Sequence, residues 1–568
     1  MKLFPSAFAS ALRRTGVVFA VLAVSLAILL GVDYSRSRAF AHPGQKIDKM
    51  RADLAQRPQD EDFKKQIRRQ DVEERRQFFG FQEKCHLEGH GALLFGLLAV
   101  LSWRIAALLP ERRSQRAPQI KSEESFLAPL AVLAVGCGLL AGLGWLGINS
   151  RPDVLLASMG GGEKDAPGKG DATFPTEQEW QANWPVFRGP RGIGVAAGAQ
   201  PPAAWDVPAN VNVLWKTPVP LAGENSPVVW GNRVFLSGAS GEKREVFAFD
   251  ADSGKLLWRR EVGEARPPVK DASSDVTGAA ATMAVDGRRV YAIFATGDLA
   301  ALDFEGKVVW SKSLGKPDVM YGFASSLAMF RNLLILQRDQ GSSAEDGKSV
   351  LMALESATGR QVWSVKRPVP NSWSTPVAID TPECAEIVTC GKPWVMGYDP
   401  LTGQEKWRAE CLDGEVAPSP VWGCGMVFVA NEGAKAAGIR LGGKGDVTKT
   451  HIAWSFDEGL PDIISPVTDG KLLFLTTSQG QVTCLNAADG VKLWQQELNE
   501  SARSSPVIAG NRVWLATTKG NMHVFAAAPQ FKPQGKISIG EPVDASPAFV
   551  GKRIYIRGRN NLVCVGEK

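Results

Sequence analysis

The chain has 568 residues, 44% hydrophobic and 22% charged, with eight cysteines. That balance suits globular domains and excludes collagen-like, low-complexity and disulfide-dense small scaffolds. The net charge of +6 is uneven: the first 150 residues hold 21 of the 65 Lys and Arg but 14 of the 59 Asp and Glu, so the rest is close to neutral. The basic balance is therefore no sign of nucleic-acid binding.

Residues 1–150 are expected to form a membrane region. Apolar runs cover 17–32, 91–109 and 126–148, the second interrupted only by Arg104. A helix of roughly 20 residues spans the hydrocarbon core, so the last two are long enough and the first is marginal. Basic clusters lie at Arg13-Arg14 and within Glu111–Arg116. Placing both inside predicts three transmembrane helices in the cytoplasmic (inner) membrane, with the large C-terminal remainder on the extracytoplasmic, periplasmic side. Arg104 is near enough to the basic link to snorkel. Ala39-Phe-Ala41 offers a competing reading, cleavage of the first run after Ala41. Either choice leaves the C-terminal remainder outside.

Residues 45–88 are polar, with mixed charges at helical spacing such as Glu61 and Lys65, and predict an extracytoplasmic helical stalk. At its end, Cys85, His86, Glu88 and His90 form the one cluster with ligand chemistry. His86 and His90 at i,i+4 would face one side of a helix and could share a metal with Cys85 or Glu88. Gly89 weakens that helix, and a membrane-interface segment without a site is the competing reading. Cys85-His86 lacks the first Cys of a covalent haem motif, since position 82 is Gln.

Residues 151–180 carry Gly160-Gly-Gly162 and Lys164-Asp-Ala-Pro-Gly-Lys-Gly170 with little apolar content, and read as a flexible linker. From 181 to 568 the sequence repeats. Ser226-Pro-Val-Val recurs as Thr375-Pro-Val-Ala, Ser419-Pro-Val-Trp, Ser465-Pro-Val-Thr, Ser505-Pro-Val-Ile and Ser546-Pro-Ala-Phe, with degenerate copies at Ala281-Thr-Met-Ala and Ser326-Leu-Ala-Met. Two further strands follow each copy, then an acidic or amide turn closed by Gly, and then a strand carrying Trp. The turn and Trp are Asp250…Gly254…Trp258, Asp303…Gly306…Trp310, Glu355…Gly359…Trp363, Asp399…Gly403…Trp407 and Asn486…Gly490…Trp494; Trp454 fits the slot in a less regular repeat. This accounts for 17 Trp against 5 Tyr. Four strands repeated every 40–53 residues, in eight copies, predict an all-β, eight-bladed β-propeller with four-stranded blades. The last repeat has three strands, and Val213–Val219 is expected to supply its fourth. The Trp side chains are expected to pack between blades.

These phrases resemble the pyrroloquinoline quinone (PQQ) repeat family of β-propellers. Trp184-Pro-Val-Phe-Arg-Gly-Pro-Arg-Gly-Ile-Gly194, Ser372-Trp-Ser-Thr-Pro376 and Gly442-Gly-Lys-Gly-Asp-Val-Thr448 look like a membrane-anchored bacterial subgroup. The resemblance implies one of two roles: a binding scaffold like the BamB lipoproteins, or a quinoprotein dehydrogenase holding PQQ and calcium over the channel. The adjacent Cys pair of the latter is missing here. The scaffold is therefore expected, binding protein or envelope components through its loops, with an envelope sensor or signalling partner as a further alternative.

A propeller lines its channel with the innermost strands. Residues just before the repeated hydroxyl then sit near one mouth, and Asn225, Trp373, Arg503 and Asp544 are the candidate binding residues, with Tyr321 beside them. Asp339, Glu345 and Asp346 surround a Gly-Ser-Ser loop that reads as surface rather than calcium site. Six cysteines, 384, 390, 411, 424, 484 and 564, fall in the propeller with no pairing assignable; 484 and 564 occupy third-strand positions where buried thiols are common.

Overall fold

The computed structural model describes residues 174–202, 204–263, 278–319 and 322–567. The expected membrane helices, the stalk, Cys85, His86, His90, Arg104 and Tyr321 lie outside them. Among the described residues no helix is long and apolar enough to cross a membrane.

Eight antiparallel sheets follow one another along the chain. Blade 1 comprises Val228–Trp230, Arg233–Ser240, Lys243–Asp250 and Leu256–Glu261. Blades 2 to 7 occupy 284–313, 328–366, 377–410, 421–456, 467–497 and 507–538. Blade 8 takes Ala548–Val550, Arg553–Arg557 and Asn561–Gly566 from the end of the chain, and Val213–Pro218 from the start of the repeat region. Trp215 pairs with Cys564 and Pro218 with Asn561, so the ring is closed by strand exchange between its two ends, as expected.

The middle strands of each blade are buried on both faces, as in Leu333–Arg338 and Met426–Ala430, because each blade is covered by two neighbours. The outer strands alternate or face solvent. The Trp of the outer strand bridges blades. The indole N–H of Trp215, Trp258, Trp310, Trp363 and Trp454 donates to the carbonyl of Ala251, Phe304, Ser356, Pro400 and Ala487, each in the turn of the next blade, at 2.8–3.0 Å. The ring plane lies on the turn glycine. A Cβ on Gly254, Gly306, Gly359, Gly403 or Gly490 would come within 2.5–2.7 Å of that ring, and each has positive φ. The repeated Gly is needed both for the turn and for the indole. Within its own blade each Trp faces a small residue: Ala248, Ala301 and Ala353 in blades 1 to 3, Gly397 and Gly438 in blades 4 and 5, Cys484 and Cys564 in blades 6 and 8. That slot explains the two third-strand thiols as packing residues. Burial pushes both up to about 12, so they stay protonated.

Candidate functional site: the channel and its plug

The inner strands begin at the repeated hydroxyl, and that hydroxyl has a structural task. The backbone N–H of Ser226 donates to Thr282 Oγ1, Thr282 to Ser326, Ser326 to Thr375, Thr375 to Ser419, Ser419 to Ser465, Ser465 to Ser505, Ser505 to Ser546, and Ser546 back to Ser226. The eight bonds, 2.8–3.1 Å long, form a closed circle with one hydroxyl per blade. A start-of-strand N–H would otherwise be buried without a partner, which costs about 1–3 kcal/mol. The circle corrects the second repeat by one residue. Thr282, not Ala281, is the equivalent of Ser226, with Met283 in place of Pro.

At the other end of the inner strands the segment from Trp184 to Gln200 makes one circuit of the ring. Trp184 exchanges backbone hydrogen bonds with Val229 of blade 1, at 2.9 and 2.8 Å. Val285 of blade 2 donates to Pro185 O. Val186 joins the apolar cluster of Leu327 and Met329 in blade 3. Gly192 lies against Val377 of blade 4, and the Arg191 guanidinium sits 5.6 Å over the Trp422 ring of blade 5. Arg188 donates to Pro466 O of blade 6. Val195–Ala196 adds a short parallel strand to blade 7 along Ile508 and Ala509. Gln200 N–H donates to Gly551 O of blade 8. Blades 1, 2, 7 and 8 thus receive backbone partners from this segment, while blades 3 to 6 meet its side chains and glycines.

The sequence of this plug dictates its coil. Arg188, Gly189, Gly192 and Gly194 all have positive φ. A Cβ on Gly189 would sit 2.7 Å from the Trp184 ring, and one on Gly194 would meet Pro506 O at 3.0 Å. Upstream, the one-turn helix Glu177–Gln181 is capped by Thr176 and Glu179, and Trp180 meets Trp230 edge to face at 5.8 Å. Downstream, Trp205 stacks on Trp514 at 5.8 Å before the chain enters blade 8.

Arg188 is fully buried. Its Nη2 reaches Pro466 O and Ile193 O, while Nε and Nη1 find no acceptor among the described residues. Burial pushes its pKa down to about 9. A second buried cation, Arg557, holds the seam between blades 8 and 1 by donating to Asn225 Oδ1 and Ser237 O at 2.6 and 2.8 Å. A third, Arg367, is neutralised: Nε and Nη2 clamp Asp339 at 2.7 and 3.1 Å, and Ser372 donates to the same carboxylate at 2.6 Å.

The candidate residues separate. Asn225 is completely buried, and its amide donates to Ser237 O and Ala279 O, so it is a seam residue. Trp373 is half-buried with its indole N–H on Gly322 O. Arg503 is exposed. Asp544 is half-buried, 3.6 Å from Arg559, and its Oδ1 is buried without a partner. Asn225, Arg503 and Asp544 share no hydrogen bond or ion pair among the described residues. Asp339 belongs to the Arg367 network, while Glu345 and Asp346 serve the turn capped by Ser343. Arg188 and the hydroxyl circle went unassigned in the sequence, although the repeated Ser/Thr and the glycine-rich phrase around Arg188 were both visible.

The residues present do not fit PQQ with calcium. Among the described residues no group of three or more His, Cys, Asp or Glu converges, whereas calcium takes six to eight oxygen ligands. At one end of the inner strands, blades 1, 2, 7 and 8 already share backbone hydrogen bonds with the plug. The space left between the plug and blades 3 and 4 is about 20 Å³, the size of a water site.

These features define a plugged, eight-bladed PQQ-repeat propeller. The profile of the family described as "Outer membrane protein assembly factor BamB" matches residues 202–326, 346–462 and 443–530, and the chain belongs to that family. It is 23% identical over 368 residues to the outer membrane protein assembly factor BamB of Burkholderia pseudomallei (strain K96243), covering 56% of this chain and 88% of that protein. Among solved structures it resembles BamB of Moraxella catarrhalis, with TM-score 0.47, 14% identity, and 63% and 97% of the two chains covered. It also resembles the quinohemoprotein alcohol dehydrogenase of Comamonas testosteroni, with TM-score 0.51, 14% identity, and 68% and 81% covered. The likeness to the dehydrogenase is one of fold alone.

Proposed function

We propose that this chain is a membrane-anchored, extracytoplasmic propeller that acts as a binding scaffold for protein partners in the cell envelope. The observation that carries the reading is the occupied channel: the segment 184–200 fills the mouth where the inner strands end, which leaves loops and outer surface for recognition. Family membership supports it, since the relative's name assigns that protein to outer-membrane protein assembly. The loops bearing Trp373, Arg503 and Asp544 are the proposed recognition surface. Residues 1–150 are the proposed membrane region, 151–180 the linker and 181–568 the propeller. Rigid blades with variable loops suit this task because the ring fixes loop positions while loop sequence sets specificity.

The test is site-specific cross-linking in the native envelope, with a photoreactive residue at position 503. A discrete protein adduct that disappears when the residue is moved to the outer strand at 309 supports the reading. Adducts of equal yield at both positions, or none at 503, would sink it.

A further inference from the structure

We propose that the outer strand of blade 1 takes up an extended segment of a partner protein as an added parallel strand, and that this segment carries Asp-x-Thr or Asp-x-Ser. The inference rests on the scaffold reading and names the chemistry of the partner. The chain contains its own copy of such a complex. Gly445–Asp446 lies in parallel on the outer strand of blade 4, beside Trp407 and Arg408. The Val447 N–H donates to Arg408 O at 2.8 Å, and Thr448 Oγ1 accepts the Glu410 N–H at 2.9 Å. Asp446 shapes the added strand, because its Oδ1 accepts both the N–H and the hydroxyl of Thr448, at 3.0 and 2.6 Å. Asp446-Val-Thr448 is thus a preformed hook whose hydroxyl meets the strand edge.

Blade 1 repeats the receiving side. Trp407-Arg-Ala-Glu410 has its counterpart in Trp258-Arg-Arg-Glu261. The two strands also share their register. Trp258, Arg259, Arg260 and Glu261 pair with Ala248, Phe247, Val246 and Glu245, as Trp407 to Glu410 pair with Gly397, Met396, Val395 and Trp394, and each ladder has a bulge beside the Trp pair. The groups that receive the hook on blade 4, Arg408 O and Glu410 N–H, therefore correspond to Arg259 O and Glu261 N–H. On blade 4 a loop of the next blade occupies them; on blade 1 no described strand does. Such an edge is a template for strand addition. Leu257, 42% exposed, stands where blade 4 has Lys406 and offers the added strand an apolar neighbour. Lys255 and Arg260 are exposed and have no carboxylate partner among the described residues, which suits an acidic segment.

The probe is a dye-labelled synthetic peptide that copies residues 442–450, titrated with the full chain and followed by fluorescence anisotropy. Saturable binding is expected, and none up to about 1 mM overturns the proposal. N-methylation of the valine in the peptide removes the N–H meant for Arg259 O and is expected to weaken binding about fivefold or more, the fold-change of one hydrogen bond. Glu261→Pro removes the matching N–H of the chain and is expected to do the same, since a group pointing outward from an edge strand is not part of the ladder. Unchanged binding of the methylated peptide means attraction without strand pairing and overturns the proposal. Should Glu261→Pro fail to fold, a photoreactive residue at 257 takes its place. It is expected to cross-link the peptide, while the same residue at 493 on blade 6 does not, and equal yields at the two positions overturn the proposal. The adduct at 503 tests the scaffold reading without this strand, so either can fail alone.

Discussion

The seam between blades 3 and 4 and the seam between blades 4 and 5 use the same tryptophan position in different ways. At the first, Trp363 lies on Gly403 and its N–H reaches Pro400 O in the next blade's turn, at 2.9 Å. At the second, Trp407 has no such turn to meet. Its N–H goes back into its own blade, to Glu386 at 2.8 Å, and Lys406 holds the same carboxylate at 2.7 Å. The next blade instead sends a loop across: Gly445–Asp446 pairs in parallel with Trp407 and Arg408, Val447 is buried, and Thr448 accepts the N–H of Glu410. The outer-strand Trp is therefore fixed by its own blade, while its partner is set by the connection that follows. One insertion converts a side-chain latch into a backbone latch and relocates a hydrogen bond onto a buried carboxylate.

The largest test of seam logic is the closing seam. A chain beginning at residue 219 loses the strand Val213–Pro218, the plug and the Trp215 latch together. It is expected to show no cooperative unfolding transition by calorimetry; a normal transition would mean that seams are independent of closure. The next test sets the two internal seams against each other. Trp407→Phe strands Glu386 in a buried site and is expected to cost about 2–3 kcal/mol, whereas Trp363→Phe gives up one bond to a carbonyl and is expected to cost about 1 kcal/mol. Denaturant unfolding of both reads the order directly, and a reversed order would show that Lys406 alone satisfies the carboxylate.

A smaller effect is expected in the hydroxyl circle. Ser465→Ala leaves the Ser419 N–H buried without an acceptor and should cost about 1–2 kcal/mol, while Ser465→Thr should be close to neutral because Thr already serves at 282 and 375. Equal losses would mean that shape rather than the hydrogen bond matters there.

A pH-dependent effect is expected at the blade 6–7 seam. Burial raises the Glu500 carboxyl, but hydrogen bonds from Lys536, Thr517, Asn521 and His523 outweigh it and bring the pKa from 4.5 down to about 2. A depressed carboxylate contributes stability above its unfolded pKa and loses it as pH falls through the folded value. Stability should therefore decline between about pH 4.5 and pH 2, and Glu500→Gln should flatten that part of the curve measured by thermal unfolding.

The blades were legible because their signals are local and repeated. A Gly turn four residues before Trp, and a hydroxyl before Pro, recur at one spacing and identify strands without any tertiary knowledge. Closure by Val213–Pro218 was legible too, since a lone Trp strand at one end matched a missing strand at the other. The site was less so. Asn225, read as a mouth residue, turned inward because Arg557, 332 residues away, needs its amide oxygen. Arg188 meets Pro466 at a separation of 278 residues. Partners that distant leave no periodic trace in one sequence. The Gly445–Asp446 latch was equally hidden, because a two-residue parallel pairing has no pattern of its own.

The central claim is that the channel belongs to the chain's own plug, so that recognition happens on loops and outer surface. Calorimetric titration of the intact chain with PQQ, in the presence and absence of calcium, tests it most directly. No heat of binding across the micromolar range is the predicted result. Calcium-dependent, one-to-one binding would contradict the account and return the channel to a cofactor role.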